Sequence, residues 1–223
     1  MPRRPLRELD EFCTYLSSRH FTPKTVIDVG ACYGTPELLQ GFPDAYHILY
    51  EPVPTLEDRM KQIVAKYRGE YHMIALADQV GEMPFVIPQN AVQAATLTVT
   101  DQNADQAVQI PVDTLDNQMS GRDLEGPIML KTDCQGYDLQ IMKGGIEFLK
   151  RVDVVVMEVN MFHPGGKFDL PDFGEIVCWM REHNFAVYDI ISYQIRPFDD
   201  ALGYVDLVFA PEDGELRKHH RWA

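Results

Sequence analysis

The sequence predicts an α/β fold, a doubly wound and mostly parallel sheet with helices on both faces. Three observations carry this. Short β-branched runs alternate with amphipathic helical stretches over most of the chain. The run at 152–159 is, Asp153 and Glu158 apart, so nearly continuous in Val and Met that it suits a central parallel strand covered on both sides. The last two apolar runs follow one another with no helix between them, which predicts a closing antiparallel hairpin. A chain of 223 residues can bury one core without staples, and we expect a single domain over 1–223.

The elements follow in order. Leu6, Leu9, Phe12, Cys13 and Leu16 recur at helical spacing, so an amphipathic helix lies within 1–22 and ends before Pro23. Residues 25–29 form the first strand, which Gly30 and Gly34 end in a backbone-exposing turn. A short helix at 36–40 stops at Gly41 and Pro43. The second strand, 46–50, delivers Glu51 at its carboxyl end. Pro54 opens the next helix, whose stripe of Leu56, Met60, Ile63, Val64 and Tyr67 fades near Gly69. Residues 71–75 read as the third strand.

There the alternation breaks. Short strands at 83–87, 97–100 and 108–112 stand among turn residues and Gln-rich loops, a β-rich insertion over 79–112 expected to shape the substrate site. A short helix at 113–119 leads to a strand at 127–131 that runs into Thr132, Asp133, Cys134, Gln135 and Gly136. The following helix turns Leu139, Ile141 and Met142 inward and ends at Gly144 and Gly145. After strand 152–159 come a Gly- and Pro-rich loop at 163–171, a helix marked by Phe173, Ile176, Val177 and Met180, and the strand pair 185–191 and 204–210.

Composition excludes several classes. With 20 basic and 34 acidic residues the net charge is −14, a field that repels a phosphate-rich polymer, so nucleic acid is not expected as a partner. Four cysteines without a Cys-x-x-Cys spacing argue against a structural zinc site and a disulfide scaffold, and point to reduced thiols in the cytoplasm. The helix after the basic Met1–Arg4 start carries Arg7, Glu8, Asp10 and Glu11 where an export signal needs apolar residues. No window is long and apolar enough to span a membrane, so a soluble protein is expected.

In an open α/β sheet the ligand sits at the carboxyl ends of the strands. Gly30 and Gly34 let main-chain N–H groups approach a ligand, although they would serve a simple bend equally well. Glu51 follows Gly30 by about 20 residues, the separation at which a carboxylate accepts from ribose hydroxyls. A central glycine suited to a pyrophosphate is missing, because Cys32 stands there. Asp28 adds negative charge beside the turn, which suits a ligand bearing an ammonium group. S-adenosylmethionine, a nucleoside with no phosphate and a cationic sulfur, fits better than NAD. Ala77 and Asp78 follow the third strand, Asp133 the fourth, and Glu158 with Asn160 the fifth.

These residues also carry a resemblance. The blocks Val26-Ile-Asp-Val-Gly-Ala-Cys-Tyr-Gly34, Tyr50-Glu-Pro52, Ala75-Leu-Ala-Asp78, Val112-Asp-Thr-Leu-Asp116, Leu130-Lys-Thr-Asp-Cys-Gln-Gly-Tyr-Asp138 and Met157-Glu158 resemble, in order, those of the FkbM-type methyltransferases. The resemblance implies a Rossmann-like class I fold with a seven-stranded sheet. It implies a S-adenosylmethionine-dependent O-methyltransferase acting on a hydroxyl of a sugar, glycan or polyketide-like small molecule. Asp28, Gly30, Ala31, Gly34, Glu51, Pro52, Ala77 and Asp78 are then the cofactor-binding residues. Two positions depart from the family's usual pattern. Cys32 replaces an Asn in the turn, and Gln135 replaces a Glu, which excludes an ionised group there.

A weakly acidic hydroxyl needs help in losing its proton during an in-line displacement. Asp133 is the first candidate for base or acceptor-orienting group, against the alternative that it caps the next helix. Glu158, Asn160 and His163 follow strand five and join it, either as a base with its orienters or as hard oxygen ligands. A divalent metal is left open and is not predicted. Lys131 is expected to be a buried partner of one of these acids. The alternatives are a methyltransferase-like binding protein without turnover and, further off, an NAD-linked enzyme.

Overall fold

A computed structural model describes residues 6–89, 91–99, 104–162 and 170–221. The chain runs α1 (Leu9–Ser18), β1 (Thr25–Val29), α2 (Pro36–Gly41), β2 (Tyr46–Tyr50), α3 (Glu57–Lys66), β3 (Gly69–His72), β4 (Ala75–Ala77) and β5 (Gly81–Val86). It continues β6 (Ala107–Thr114), α4 (Leu115–Met119), β7 (Ile128–Thr132), α5 (Asp138–Lys143), α6 (Ile146–Leu149), β8 (Val154–Asn160), α7 (Phe173–Glu182), β9 (Phe185–Ile195) and β10 (Leu202–Pro211).

Seven strands form one sheet in the order β3-β2-β1-β7-β8-β10-β9, and β4-β6-β5 form a second, smaller sheet. In the large sheet β3, β2, β1, β7 and β8 are parallel, while β10 runs antiparallel to both β8 and β9. This is the expected doubly wound sheet with its closing hairpin. The strand order reverses at β1 and β7, so their carboxyl ends flank the crevice in which such sheets bind ligands.

Both faces are covered. Leu9, Phe12, Cys13 and Leu16 of α1 pack with Leu38 of α2 on Val26, Met129, Val156 and Val208, and Met60 and Ile63 of α3 cover Leu49 on the same side. The opposite face packs α4 to α7 through Leu115, Ile141, Met142, Phe148, Ile176 and Met180 onto Ile27, Leu130, Val155 and Leu207. The five residues of β1 and of β7 are buried without exception, as strands covered from both sides require. α1 starts in a capping box between Glu8 and Glu11, and α7 in one between Asp172 and Glu175.

Three expectations change. The strand read at 71–75 is two strands: β3 pairs with β2 at the edge of the large sheet, and β4 leaves to pair with β6. Gly144 allows that move, because β4 lies so close to the end of α5 that a Cβ there would stand 2.1 Å from the Ala77 carbonyl oxygen. The strand read at 97–100 is absent over 97–99; a single bridge joins Val86 to Thr96. Thr96 Oγ1 accepts the Thr98 N–H at 2.9 Å, a local bond that competes with strand pairing; residue 100 lies outside the described residues. Gly144 and Gly145 end α5, but the chain re-enters a helix at once as α6, whose first amides at Glu147 and Phe148 donate to the Asp116 carboxylate at 3.1 and 2.6 Å.

Candidate active site

The turn after β1 is shaped by packing before any ligand is considered. Gly30 and Gly34 take φ of +76° and +86°, and Cys32 between them takes +49°. A Cβ on Gly30 would lie 2.3 Å from the Asp133 carbonyl oxygen, so glycine is what lets this turn meet the segment leaving β7. The Gly30 and Ala31 N–H groups both donate to the Tyr50 carbonyl, at 3.0 and 3.1 Å. Glu51 then fastens the turn: its Oε2 accepts the Cys32 N–H at 2.7 Å and its Oε1 the Val53 N–H at 2.8 Å. With 4% of its surface exposed, burial pushes its pKa up, and the two amide bonds oppose the rise.

Two clefts meet at this turn. The first is a narrow cleft between Gly30, Cys32, Glu51 and Pro52 on one side and Asp133, Cys134 and Tyr137 on the other. Phe85 and residues 92–97 wall it, and the Tyr137 hydroxyl reaches Met83 Sδ of β5 at 3.7 Å. The insertion therefore walls the cleft that holds Glu51, where the sequence had assigned it to the substrate. The second cleft, about 850 Å³, opens on the α1 side of the same turn; Ala31 and Gly34 line it with Glu8, Lys131, Ser192 and Asp206. Gly30, Cys32 and Asp133 belong to both linings.

Asp28 lies one step below the turn, 2% exposed, and lines neither cleft. Register places it beside Lys131, whose Nζ is 3.7 Å from Asp28 Oδ1 and 3.4 Å from Asp133 Oδ2. The ammonium that the sequence assigned to a ligand of Asp28 is thus supplied by Lys131, as one half of the expected lysine pairing. Burial alone would lower the Lys131 pKa; Asp28, Asp133 and Asp206 override it and hold the side chain charged. Asp133, with 39% of its side chain exposed, also accepts the Gln135 Nε2 at 3.2 Å, which gives Gln135 a neutral bracing part.

On the same face, Glu158 of β8 sits opposite Asp206 of β10. Burial, with Asp133, Asp138 and Asp206 nearby, pushes the Glu158 carboxyl up to about 8. Burial is also the main cause that brings Asp206 and Asp138 to about 6. Asp138, at the start of α5, accepts the Cys134 N–H at 3.2 Å. Asn160 ends β8 with its Nδ2 3.7 Å from where a Gly136 Cβ would stand. Ala77 ends β4, Asp78 follows it, and neither lines either cleft. His163 lies outside the described residues. Among the described residues no group of three or more His, Cys, Asp or Glu is arranged to hold a metal ion, and no helix is long and apolar enough to cross a membrane.

Asp206 is the main residue that the sequence reading missed. Its signal was a lone carboxylate inside the apolar run Val205 to Phe209, which needs the hairpin register before it can be set against Glu158.

No curated protein matches the chain. Among solved structures, EvdMO1 is similar at 8% identity and a TM-score of 0.49, over 92% of this chain and 41% of its own; the chain thus spans less than half of that protein. The 1,6-didemethyltoxoflavin-N1-methyltransferase of Burkholderia thailandensis, with bound S-adenosylhomocysteine, aligns at 11% identity and 0.48, over 91% of this chain and 77% of its own. Magnesium protoporphyrin IX methyltransferase of Synechocystis PCC 6803, with bound SAM, aligns at 9% and 0.49 over the same shares. The methyltransferase FkbM domain matches residues 28–187, from Asp28 of β1 to Val187 of β9. That span takes in both clefts' shared turn, Glu51, Asp133 and Glu158, and the chain belongs to the FkbM family of S-adenosylmethionine-dependent methyltransferases.

Proposed function

We propose that the chain is an O-methyltransferase that moves the methyl group of S-adenosylmethionine to a hydroxyl of a sugar, glycan or polyketide-like small molecule. The observation that carries this reading is the meeting of two clefts at Gly30, Cys32 and Asp133, one suited to a nucleoside and one to a polar acceptor. The residues of the first cleft fit the cofactor: Gly30 leaves no side chain in the cradle, and Glu51 keeps lone pairs free beyond its two amide bonds for ribose hydroxyls. Pro52 continues the cradle, Ala31 and Gly34 carry the turn on into the second cleft, and Asp28, Ala77 and Asp78 line neither.

When bound, S-adenosylmethionine supplies an electrophilic methyl group on a cationic sulfur. Asp133, shared by both clefts and braced by Lys131 and Gln135, orients the acceptor hydroxyl toward that carbon. Glu158 and Asn160 belong to the next strand, β8, and with His163 remain candidates for the acceptor side. Glu8, Asp10 and Ser192 in the second cleft offer hydrogen-bond partners for a polyol, and the net charge of −14 disfavours a nucleic acid there. Calorimetry with S-adenosylmethionine and S-adenosylhomocysteine, followed by transfer of a labelled methyl group to a panel of glycosides and polyketide alcohols with and without divalent metals, tests the reading. Methylation of an oxygen is the expected product. Transfer to nitrogen alone, or cofactor binding with no transfer to any acceptor, would contradict it.

A further inference from the structure

We propose that Glu158 and Asp206 act as one carboxyl pair holding a single shared proton, and that its cleft-facing member, Asp206, takes the proton of the acceptor hydroxyl. The inference rests on the methyl-transfer reading above. Geometry makes the pair. Glu158 and Asp206 occupy directly opposed register positions on β8 and β10, and both point to the α1 face of the sheet with Asp28 and Lys131. Asp206 lines the second cleft with Asp133 and Lys131, while Glu158 is set deeper and belongs to neither lining.

The charged groups facing the pair come from four elements. They are Asp28 of β1, Lys131 and Asp133 on and after β7, Asp138 of α5, and Glu8 ahead of α1, whose Oε2 accepts the Ser192 hydroxyl of β9 at 3.2 Å. Among the described residues the cation acting on both carboxyls is Lys131, and Asp28 and Asp133 already divide it at 3.7 and 3.4 Å. Two facing carboxyls without a cation of their own do not both ionise at neutral pH. Burial supports the same order, lifting Glu158 to about 8 and Asp206 to about 6, so the cleft-facing group is the ionised one. Asp133, held by Lys131 at 3.4 Å and by Gln135 at 3.2 Å, keeps the orienting part.

In the step, the acceptor oxygen forms its bond to the methyl carbon as the carbon–sulfur bond breaks and its electron pair returns to sulfur. The hydroxyl proton passes to Asp206. The sulfonium becomes a neutral thioether, and the pair goes from one negative charge to none, so charge and atoms balance. Glu158 acts through Asp206 and is a positioning residue.

The test uses the full chain with carboxyl-labelled Asp and Glu, titrated by carbon NMR without cofactor. In the wild type the two carboxyls are expected to titrate as a coupled pair in two separated steps. Asp206→Asn should bring the Glu158 step down by a pH unit or so, and Glu158→Gln should simplify the Asp206 step to a single titration. With cofactor and an acceptor from the panel, Asp206→Asn is expected to lower kcat by about 100-fold with the S-adenosylhomocysteine Kd unchanged. Asp206→Glu should restore part of the rate, and Glu158→Gln should shift the pH profile more than it lowers the maximal rate. Independent titration of both groups near ordinary carboxylate values overturns the pair. A wild-type kcat and pH profile in Asp206→Asn overturns its role. Failure to bind S-adenosylmethionine overturns the methyl-transfer reading and the role within it, and is told apart by a coupled titration that persists.

Discussion

The two clefts share a wall yet are built from opposite materials. The Glu51 cleft is lined by apolar side chains from the small sheet, and its one buried carboxylate is tied by two backbone N–H groups. The Asp206 cleft is wider and faces Glu8, Asp133 and Asp206 around a single lysine. The first has its carboxyl group pinned by main-chain donors and therefore holds one shape. In the second, carboxyls answer one another, so protonation sets its charge. A site that must bind a nucleoside the same way each cycle and also receive a proton needs both kinds of wall.

The largest change that breaks this division is at Lys131, which supports the acidic cleft from within. Lys131→Met leaves Asp28 buried without its cation and should cost about 3–5 kcal/mol of stability, measured by urea unfolding. The double variant Asp28→Asn with Lys131→Met should recover most of the loss. Gly30→Ala acts on the shared wall: the left-handed φ costs about 1–2 kcal/mol, and the overlap with the Asp133 carbonyl adds to it. Loss of both stability and cofactor binding is expected.

Glu51→Gln probes the apolar cleft alone. It keeps one acceptor oxygen and turns an NH₂ toward a backbone N–H, which should weaken folding and cofactor binding by about 1–3 kcal/mol while the titration of Glu158 and Asp206 stays as in the wild type. Unaltered affinity for S-adenosylhomocysteine would remove Glu51 from the ribose.

Much of this was legible in the sequence, because alternation and glycine placement report backbone demands that act locally. The sheet, its hairpin and the strand ends bearing Gly30, Glu51, Asp133 and Glu158 all follow from such signals. What was not legible depended on partners far along the chain. Whether 71–75 is one strand or two is decided by β6 and Gly144, and the part played by Asp206 is decided by β8. Lys131 was foreseen as a partner of acids, but that it answers Asp28 needed the register of β1 against β7.

A smaller effect separates the clefts by pH. Glu158, Asp206 and Asp138 have pKa values raised by folding, to about 8, 6 and 6. Acids of this kind bind more protons folded than unfolded, so the stability they contribute is present below their unfolded values near pH 4 and is lost as pH climbs through 6 to 8. The melting temperature should fall over that window, and Glu158→Gln should flatten the upper part. Smallest of all, Cys32→Asn should be neutral or stabilising by a few tenths of a kcal/mol, since Asn tolerates the +49° φ better than Cys.

A crystal structure with S-adenosylhomocysteine tests the division of labour most directly. The account predicts the adenosine between Glu51 and the wall of Phe85 and residues 92–97, with the sulfur at the Gly30 and Asp133 boundary and pointing into the Asp206 cleft. Adenosine bound among Glu8, Ser192 and Asp206, with the Glu51 cleft empty, would contradict it.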